Sequence, residues 1–256
     1  MRKSLSEIAQ EFETDKALSG YTEKYERHLG EFRDTELTLL EIGVHRGGSL
    51  LMWQEYFPRA RIVGLDINPN PLAGKLTERI AFEQGSQDDT QLLGRVAQRH
   101  APQGFDIIID DAAHVGALAR AAFLHLFPNH LKPGGVYVIE DWGTGYWNTW
   151  PDGQLYQRLD ADHSAVTGRK SLIARTLARR MLRRLGFSGE PSDAAAIDPN
   201  FACHNFGMVG FIKELVDQVA WGDIIRAGDG NERLSGRDLG IEGVTLYQGQ
   251  AFIAKR

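Results

Sequence analysis

Between residues 37 and 141 the chain alternates short apolar runs with longer amphipathic stretches, and this alternation restricts the possible folds. Each run ends in an acidic residue or carries a glycine near its end; the runs cover residues 37–44, 61–67, 79–85, 105–111 and 135–141. The stretches Ser49–Tyr56, Thr90–His100 and Ala117–Leu131 have the spacing of helices. Short buried strands that alternate with helices are typical of a parallel sheet covered on both faces.

The last 14 residues, 243–256, hold two further alternating runs around Gly249 and predict a closing hairpin. Together the runs predict an α/β fold of the Rossmann-like, doubly wound type. Its sheet would be mostly parallel and seven-stranded, with an antiparallel C-terminal hairpin. Pro133, Gly134 and Gly135 predict a turn just before the fifth strand.

The regular alternation lapses after Asp141. We expect a single domain over residues 1–256, with a helical cap at 1–36 and a lid or insertion at 142–206, because that segment is long for a plain loop. A basic helix with an apolar stripe is predicted at 171–187. It would suit a lid or a subunit contact, and it would also suit an anionic membrane or a phosphorylated acceptor.

Composition and charge exclude several classes of protein. A net charge of −5 and a pI near 5.9 argue against a nucleic-acid partner. Cys203 is the only cysteine, so one chain can form neither a disulfide nor a thiolate cluster, which favours a reducing cytoplasm. The start lacks the apolar core of a secretory signal, and no apolar run approaches the roughly 18 residues that cross a bilayer. We therefore expect a cytoplasmic protein and no membrane contact.

Acidic and glycine residues recur where the strands end, which is the edge at which open α/β sheets bind ligands. The candidate cofactor-binding residues of this kind are Glu41, Gly43, Asp66, Ser86, Gln87 and Asp110. A carboxylate at Asp66 would accept hydrogen bonds from ribose hydroxyls, although it would also suit a helix N-cap. Ser86 and Gln87 would contact an adenine edge. Gly43 would let the backbone approach a ligand, whereas Gly47 and Gly48 also fit an ordinary turn.

The charge of these residues selects between cofactors. A dinucleotide site needs a G-x-G-x-x-G motif, whose helix N-terminus holds a pyrophosphate. This chain has Glu41 in E-x-G-x-x-x-G-G instead, and a carboxylate there would repel a pyrophosphate. S-adenosylmethionine carries a sulfonium and an ammonium and no phosphate. The acidic strand ends therefore favour methyl transfer over hydride transfer.

A second group of residues follows the fourth and fifth strands, in IIIDDAAH and VIED. Ends of neighbouring strands lie close together, so Asp111, Glu140 and Asp141 would share one region and repel each other unless a cation sits among them. An all-oxygen set suits Mg²⁺, Mn²⁺ or Ca²⁺. His114 would take a proton from an acceptor hydroxyl. The alternatives are a local hydrogen bond at a helix start for His114 and helix N-caps for Glu140 and Asp141.

At these residues the chain resembles the metal-dependent sugar O-methyltransferases of macrolide biosynthesis, the mycinamicin type, and the cephalosporin hydroxylase-like group. The motifs that carry the resemblance are ETDK, EIGVHRGGSL, GLDI, IIIDDAAH and YVIED, with Tyr21 and Tyr25. It implies Asp111, Glu140 and Asp141 as magnesium ligands and His114 as the general base. It also implies cofactor contacts at Ser49, Asp66, Ser86 and Gln87, which adds Ser49 to the candidates.

The resemblance weakens from Gly143 to Asn205, where acceptor specificity would lie. Trp142, Tyr146, Trp147 and Trp150 would form a wall for a sugar or polyketide, or else pack a lid against the core. The acceptor is predicted to be a hydroxyl of a sugar or another small natural product, and the enzyme a homo-oligomer. Two rival functions stay open, namely an iron-dependent oxidoreductase and a non-catalytic S-adenosylmethionine-binding module.

Overall fold

The structure is a computed structural model that describes residues 2–73, 77–157, 203–225 and 237–256. The predicted basic helix at 171–187 and the middle of the predicted lid lie outside these residues. Among the residues that are described, no helix is long and apolar enough to cross a membrane.

The fold is a seven-stranded sheet with helices on both faces. Its strands are β1 (Thr38–Ile42), β2 (Arg61–Asp66), β3 (Ile80–Gln84), β4 (Phe105–Asp110), β5 (Leu131–Glu140), β6 (Ile241–Leu246) and β7 (Gln250–Lys255). The helices include α1 (Leu5–Glu11), α2 (Thr22–Leu29), α3 (Gly48–Tyr56), α4 (Thr90–His100), α5 (Gly116–His130), α6 (Gly207–Val219) and α7 (Trp221–Ile224).

The strand order is β3-β2-β1-β4-β5-β7-β6. Strands β1 to β5 run parallel, and β7 pairs antiparallel with both β5 and β6. The order reverses between β1 and β4, and in open α/β sheets the crevice beside such a reversal binds ligands. The predicted Rossmann-like fold, with its mostly parallel sheet and closing hairpin, is confirmed.

Side chains alternate between two apolar layers, one on each face of the sheet. Helices α1 to α3 cover the layer that contains Leu39, Ile107, Val138 and Phe252, and we call this face the N-terminal face. Helices α4 to α6 cover the opposite layer. Since successive residues of a strand point to opposite faces, Glu41 and Glu140 lie on the N-terminal face, two residues beyond Leu39 and Val138.

The prediction of a turn at Pro133–Gly135, just before the fifth strand, is wrong in one respect. Strand β5 already begins at Leu131, which pairs with Phe105, and the pairing resumes only at Val136 with Ile107. Residues 132–135 form a bulge in the ladder, and Gly134 adopts a φ of +75°. The residues that predicted a turn therefore form a β-bulge inside a longer strand.

Asp152 joins two helix N-termini. Its Oδ2 accepts hydrogen bonds from the backbone amides of Gly116, the first residue of α5, at 2.8 Å and Met208, the second residue of α6, at 2.7 Å. Asp152 is only 5 % exposed. Free amides at a helix N-terminus carry partial positive charge, so one carboxylate stabilises both helices. Asp152 thus fixes the residues after β5 to the first turns of α5 and α6.

Substitution of Asp152 with Ala should lower the free energy of unfolding by about 1–3 kcal/mol for each of the two amides left without a partner. The control is Asp89→Ala, which removes the exposed cap that accepts from Leu92 at the start of α4 and should cost only about 1 kcal/mol. Denaturant unfolding measures both. Equal losses would contradict the assignment of Asp152 as a double cap.

Candidate active site

Acidic and amide side chains form a row on the N-terminal face, at the carboxyl edge of the parallel strands. Asp110 pairs with Ile139 and Glu140 pairs with Gln250, which places Asp111, Glu140 and Gln250 side by side across three strands. Glu41 extends the row onto β1. The edge therefore collects side chains that are far apart in the sequence, as the strand-end argument predicted.

Lys16 lies over this row. Its Nζ is 2.6 Å from Asp111 Oδ2, 2.8 Å from Glu140 Oε1 and 3.4 Å from Glu41 Oε1. Its side chain is only 1 % exposed, and Tyr25 donates a further hydrogen bond to Glu140 Oε1. A short 3₁₀ turn at Asp15–Ala17, capped by the Thr14 side chain, carries Lys16 into this position.

Burial and charge act in opposite directions on these groups. Burial alone would lower the pKa of Lys16, but the neighbouring carboxylates raise it well above its ordinary value. Burial and the charge of Asp111 raise the pKa of Glu140. Burial likewise raises the pKa of Glu41, with Lys16 opposing it. The site therefore holds a permanent ammonium, and further positive charge would be needed to keep every acid ionised.

His114 faces two carboxylates from outside the row. Its Nε2 is 3.8 Å from Asp111 Oδ1 and 3.7 Å from Asp141 Oδ2. His114 and Asp141 both adopt left-handed backbone conformations, with φ of +49° and +52°. Such conformations are costly for residues other than glycine and concentrate at functional sites. The loops after β4 and β5 are thus shaped to bring these three side chains together.

The donor set fits a divalent cation. One ligand atom from each of Asp111, His114 and Asp141 lies within 4.8 Å of the others. Glu41, Asp111 and Glu140 share the single ammonium of Lys16, so three carboxylates face one buried counter-charge. Carboxylate oxygens suit Mg²⁺. A facial iron triad needs two histidines, and this group contains only one, which disfavours the oxidoreductase alternative.

Glu140 occupies a different position from the other two predicted metal ligands. Its Oε1 accepts from Lys16 and Tyr25, and the residue is only 2 % exposed. It lies inside the row, whereas Asp141 lies outside and is partly exposed. The structure thus brings all the predicted metal and base residues to one edge, with Asp111 contacting both Lys16 and His114.

The predicted cofactor residues form internal networks at the neighbouring strand ends. Asp66 Oδ2 accepts from the amides of Val44 and His45 at 2.7 and 3.0 Å, and closes the loop between β1 and α3. Its Oδ1 accepts from Asn68. Burial would raise the pKa of Asp66, but these hydrogen bonds outweigh burial and lower it. Asp66 therefore holds the loop in place, which is a third role besides ribose contact and helix capping.

Two further pairs continue this pattern. Ser49 Oγ donates to Glu41 Oε2 at 2.7 Å. Gln87 donates to Asp110 at 3.2 Å and accepts from the amide of Ala113 at 3.0 Å, which holds the loop that leads to His114. Burial raises the pKa of Asp110 to about 7.

The last two candidates, Gly43 and Ser86, also contact the protein. A Cβ at Gly43 would lie 2.1 Å from the carbonyl oxygen of Asp111, so this glycine permits close packing of two loops. The Ser86 hydroxyl donates to Asp88.

Aromatic side chains border His114. The Trp150 ring lies 5.1 Å from the His114 ring in an edge-on arrangement, and Trp147 is 55 % exposed. Trp142 instead donates from Nε1 to the carbonyl of Tyr247 at 2.9 Å and packs against the apolar layer. The Tyr146 ring lies 4.6 Å from the His204 ring in a tilted arrangement. Trp147 and Trp150 thus fit an acceptor wall, and the other two fit packing.

Sequence reasoning missed Lys16 and Gln250 as site residues. Lys16 stands in the ETDK motif, but a lysine in a polar segment gives no sign that it will be buried. Gln250 begins a strand whose next four residues are apolar, and both polar atoms of its buried amide lack a hydrogen-bond partner. A polar residue at the first position of an apolar strand was the available signal.

Comparisons with known proteins agree with this geometry. Over 155 residues the chain is 43 % identical to mycinamicin VI 2''-O-methyltransferase of Micromonospora griseorubida; the alignment covers 57 % of this chain and 38 % of that protein. It is 41 % identical over 153 residues to L-olivosyl-oleandolide 3-O-methyltransferase of Streptomyces antibioticus, covering 56 % and 38 %. The chain is similar to sugar O-methyltransferases.

A solved structure supports the same likeness. MycE methyltransferase from the mycinamycin biosynthetic pathway, in complex with Mg, SAH and mycinamycin VI, superposes with a TM-score of 0.67 at 31 % identity. The match covers 99 % of this chain and 54 % of that chain. The chain therefore spans about half the length of this relative, and its alignments cover little more than a third of the curated ones. No protein-family model matches it.

Replacement of Lys16 with Met should destabilise the protein by about 3–5 kcal/mol, because three carboxylates would lose a buried counter-charge. The matched control is Lys3→Met, which removes an exposed pair with Glu11 and should leave the stability unchanged. Both are measured by denaturant unfolding of the metal-free chain. A stability of Lys16→Met equal to that of the unsubstituted chain would contradict the role assigned to Lys16.

Proposed function

We propose that the chain is an S-adenosylmethionine- and Mg²⁺-dependent O-methyltransferase that acts on a sugar hydroxyl of a glycosylated natural product. The observation that carries the proposal is the group of Asp111, His114 and Asp141, whose ligand atoms lie within 4.8 Å of one another at the ligand-binding edge of the sheet. The similarity to macrolide and other antibiotic O-methyltransferases supports the same reaction.

Different residues of the site would bind the cation and accept the proton. When bound, Mg²⁺ would lower the pKa of an acceptor hydroxyl and orient it, and S-adenosylmethionine would supply the methyl group. Asp111, Asp141 and Glu140 would hold the cation. His114 Nε2 would accept the proton of the acceptor hydroxyl.

The cofactor would lie beside the reversal of strand order, near Glu41, Gly43, Ser49, Asp66, Ser86, Gln87 and Asp110. Because several of these side chains bond to each other or to backbone amides, we propose that most of them act by shaping the loops. Asp66, which is partly exposed, and Ser86 are the ones whose side chains are available to a ligand. The acceptor would lie against Trp147 and Trp150, next to His114.

The organisation around this site is part of the proposal. Residues 1–36 would form a cap, which agrees with the position of Lys16 over the row, and residues 142–206 would form a lid. We also propose a homo-oligomer in the cytoplasm. The single cysteine supports the cytoplasmic location.

Substitution of His114 with Ala should reduce turnover by about 10²–10⁴-fold, because a side chain positioned to take a proton typically contributes a factor of this size. Calorimetric binding of S-adenosylmethionine should be nearly unchanged. The control is His125→Ala, which alters a histidine of α5 outside the site. Comparable turnover in the His114 variant would refute the base, and cofactor binding without methyl consumption by any acceptor would favour a non-catalytic module.

Removal of divalent metal with EDTA should abolish methyl transfer, and added Mg²⁺ should restore it. Added Mg²⁺ should also raise the melting temperature of the EDTA-treated chain, because a ligand that binds only the folded state stabilises it. Methyl transfer is measured with a glycosylated macrolide as acceptor. Full activity in EDTA would remove the metal from the mechanism.

A further inference from the structure

In each of the two carboxylates that face His114, the two oxygens have different partners. Asp111 Oδ2 accepts from Lys16, and its Oδ1 faces His114. Asp141 Oδ1 accepts a hydrogen bond from the Tyr21 hydroxyl, and its Oδ2 faces His114. One oxygen of each carboxylate is therefore fixed by a donor from the N-terminal segment, and the other is left to face the same point.

The bond from Tyr21 depends on the turn between β6 and β7. Gly249 in this turn has a φ of +78°, and a Cβ there would lie 2.0 Å from the Tyr21 hydroxyl oxygen. The carbonyl of Gly249 also accepts from the backbone amide of Asp141 at 2.6 Å. The turn thus borders both partners of the bond. The Tyr21 hydroxyl occupies the space that a side chain at Gly249 would fill, and the Asp141 amide donates to the Gly249 carbonyl.

The turn itself is held from two sides. The Tyr247 carbonyl accepts from Trp142 Nε1, and the Tyr247 ring lies 5.8 Å from the Lys24 ammonium. The same ammonium lies 5.2 Å from the centre of the Tyr21 ring. These contacts join the start of α2, the turn and the residues after β5 into one support around Asp141.

We infer that Tyr21 is a positioning residue for the cation, acting through Asp141, and that Gly249 is required because only a residue without a side chain leaves room for the Tyr21 hydroxyl. The inference rests on the proposed metal-dependent function. Asp141 has a left-handed backbone, a conformation that persists only where the surrounding structure holds it in place. Loss of a hydrogen bond that orients a metal ligand typically weakens metal affinity 10–100-fold.

The test is calorimetric titration of the EDTA-treated, dialysed full chain with MgCl₂. Tyr21→Phe removes only the hydroxyl and should weaken Mg²⁺ binding about 10–100-fold. The matched control is Tyr56→Phe, a buried tyrosine on the same face of the sheet whose ring packs against Phe57. It should bind Mg²⁺ as the unsubstituted chain does.

A second pair of variants tests the turn without altering Tyr21. Gly249→Ala and Gly134→Ala impose similar backbone strain, since the two glycines have φ of +78° and +75°, but a Cβ at Gly134 meets nothing within 4 Å. Gly249→Ala should weaken Mg²⁺ binding, and Gly134→Ala should not. Unfolding of each metal-free variant is measured in parallel, so that a loss of affinity is separated from a loss of folded protein.

The outcomes separate this inference from the proposed function. Equal Mg²⁺ affinity in Tyr21→Phe and the unsubstituted chain would overturn the positioning role while leaving the metal-dependent reaction intact. A loss of affinity in Gly134→Ala equal to that in Gly249→Ala would overturn the role of the turn. An unsubstituted chain that binds no Mg²⁺ would overturn the metal-dependent function, and the inference with it.

Discussion

The ammonium of Lys16, between the buried carboxylates of Glu41 and Glu140 and the partly buried one of Asp111, is the interaction on which the rest of the site depends. Bringing Glu41, Asp111 and Glu140 to one edge of a sheet removes their charges from water, and such burial is costly unless the charges are paired. One ammonium compensates part of this charge. The remainder favours the binding of a cation at the outer side of Asp111, where His114 and Asp141 also face.

The fold could be predicted from the sequence because its signals are local. The strand runs and the helix periodicity each lie within a few residues, and helix α4 has the predicted bounds, Thr90–His100. The error at Pro133–Gly135 shows the limit of local signals. Glycine at a positive φ favours a turn and a bulge alike, and only pairing with β4 on both sides distinguishes the two.

The candidate site was less predictable, because its geometry depends on which face each side chain points to and on what packs there. The strand-end rule brought Asp111, Glu140 and Asp141 together. It could not place Glu140 inside the row and Asp141 outside it, since that depends on the packing of Lys16 and Tyr25. The cofactor candidates form hydrogen bonds within the protein, and the residue types at the strand ends do not by themselves reveal these bonds.

The site also couples distant parts of the chain. Lys16 is 95 residues from Asp111, and Tyr21 is 120 residues from Asp141. The β6–β7 turn, near the end of the sequence, packs against Tyr21 near its beginning. The Lys16 and Tyr21 donors therefore reach the carboxylates only where the N-terminal segment packs against the edge of the sheet. Because these donors fix one oxygen of Asp111 and one of Asp141, the packing of the N-terminal segment determines which oxygens face the proposed cation.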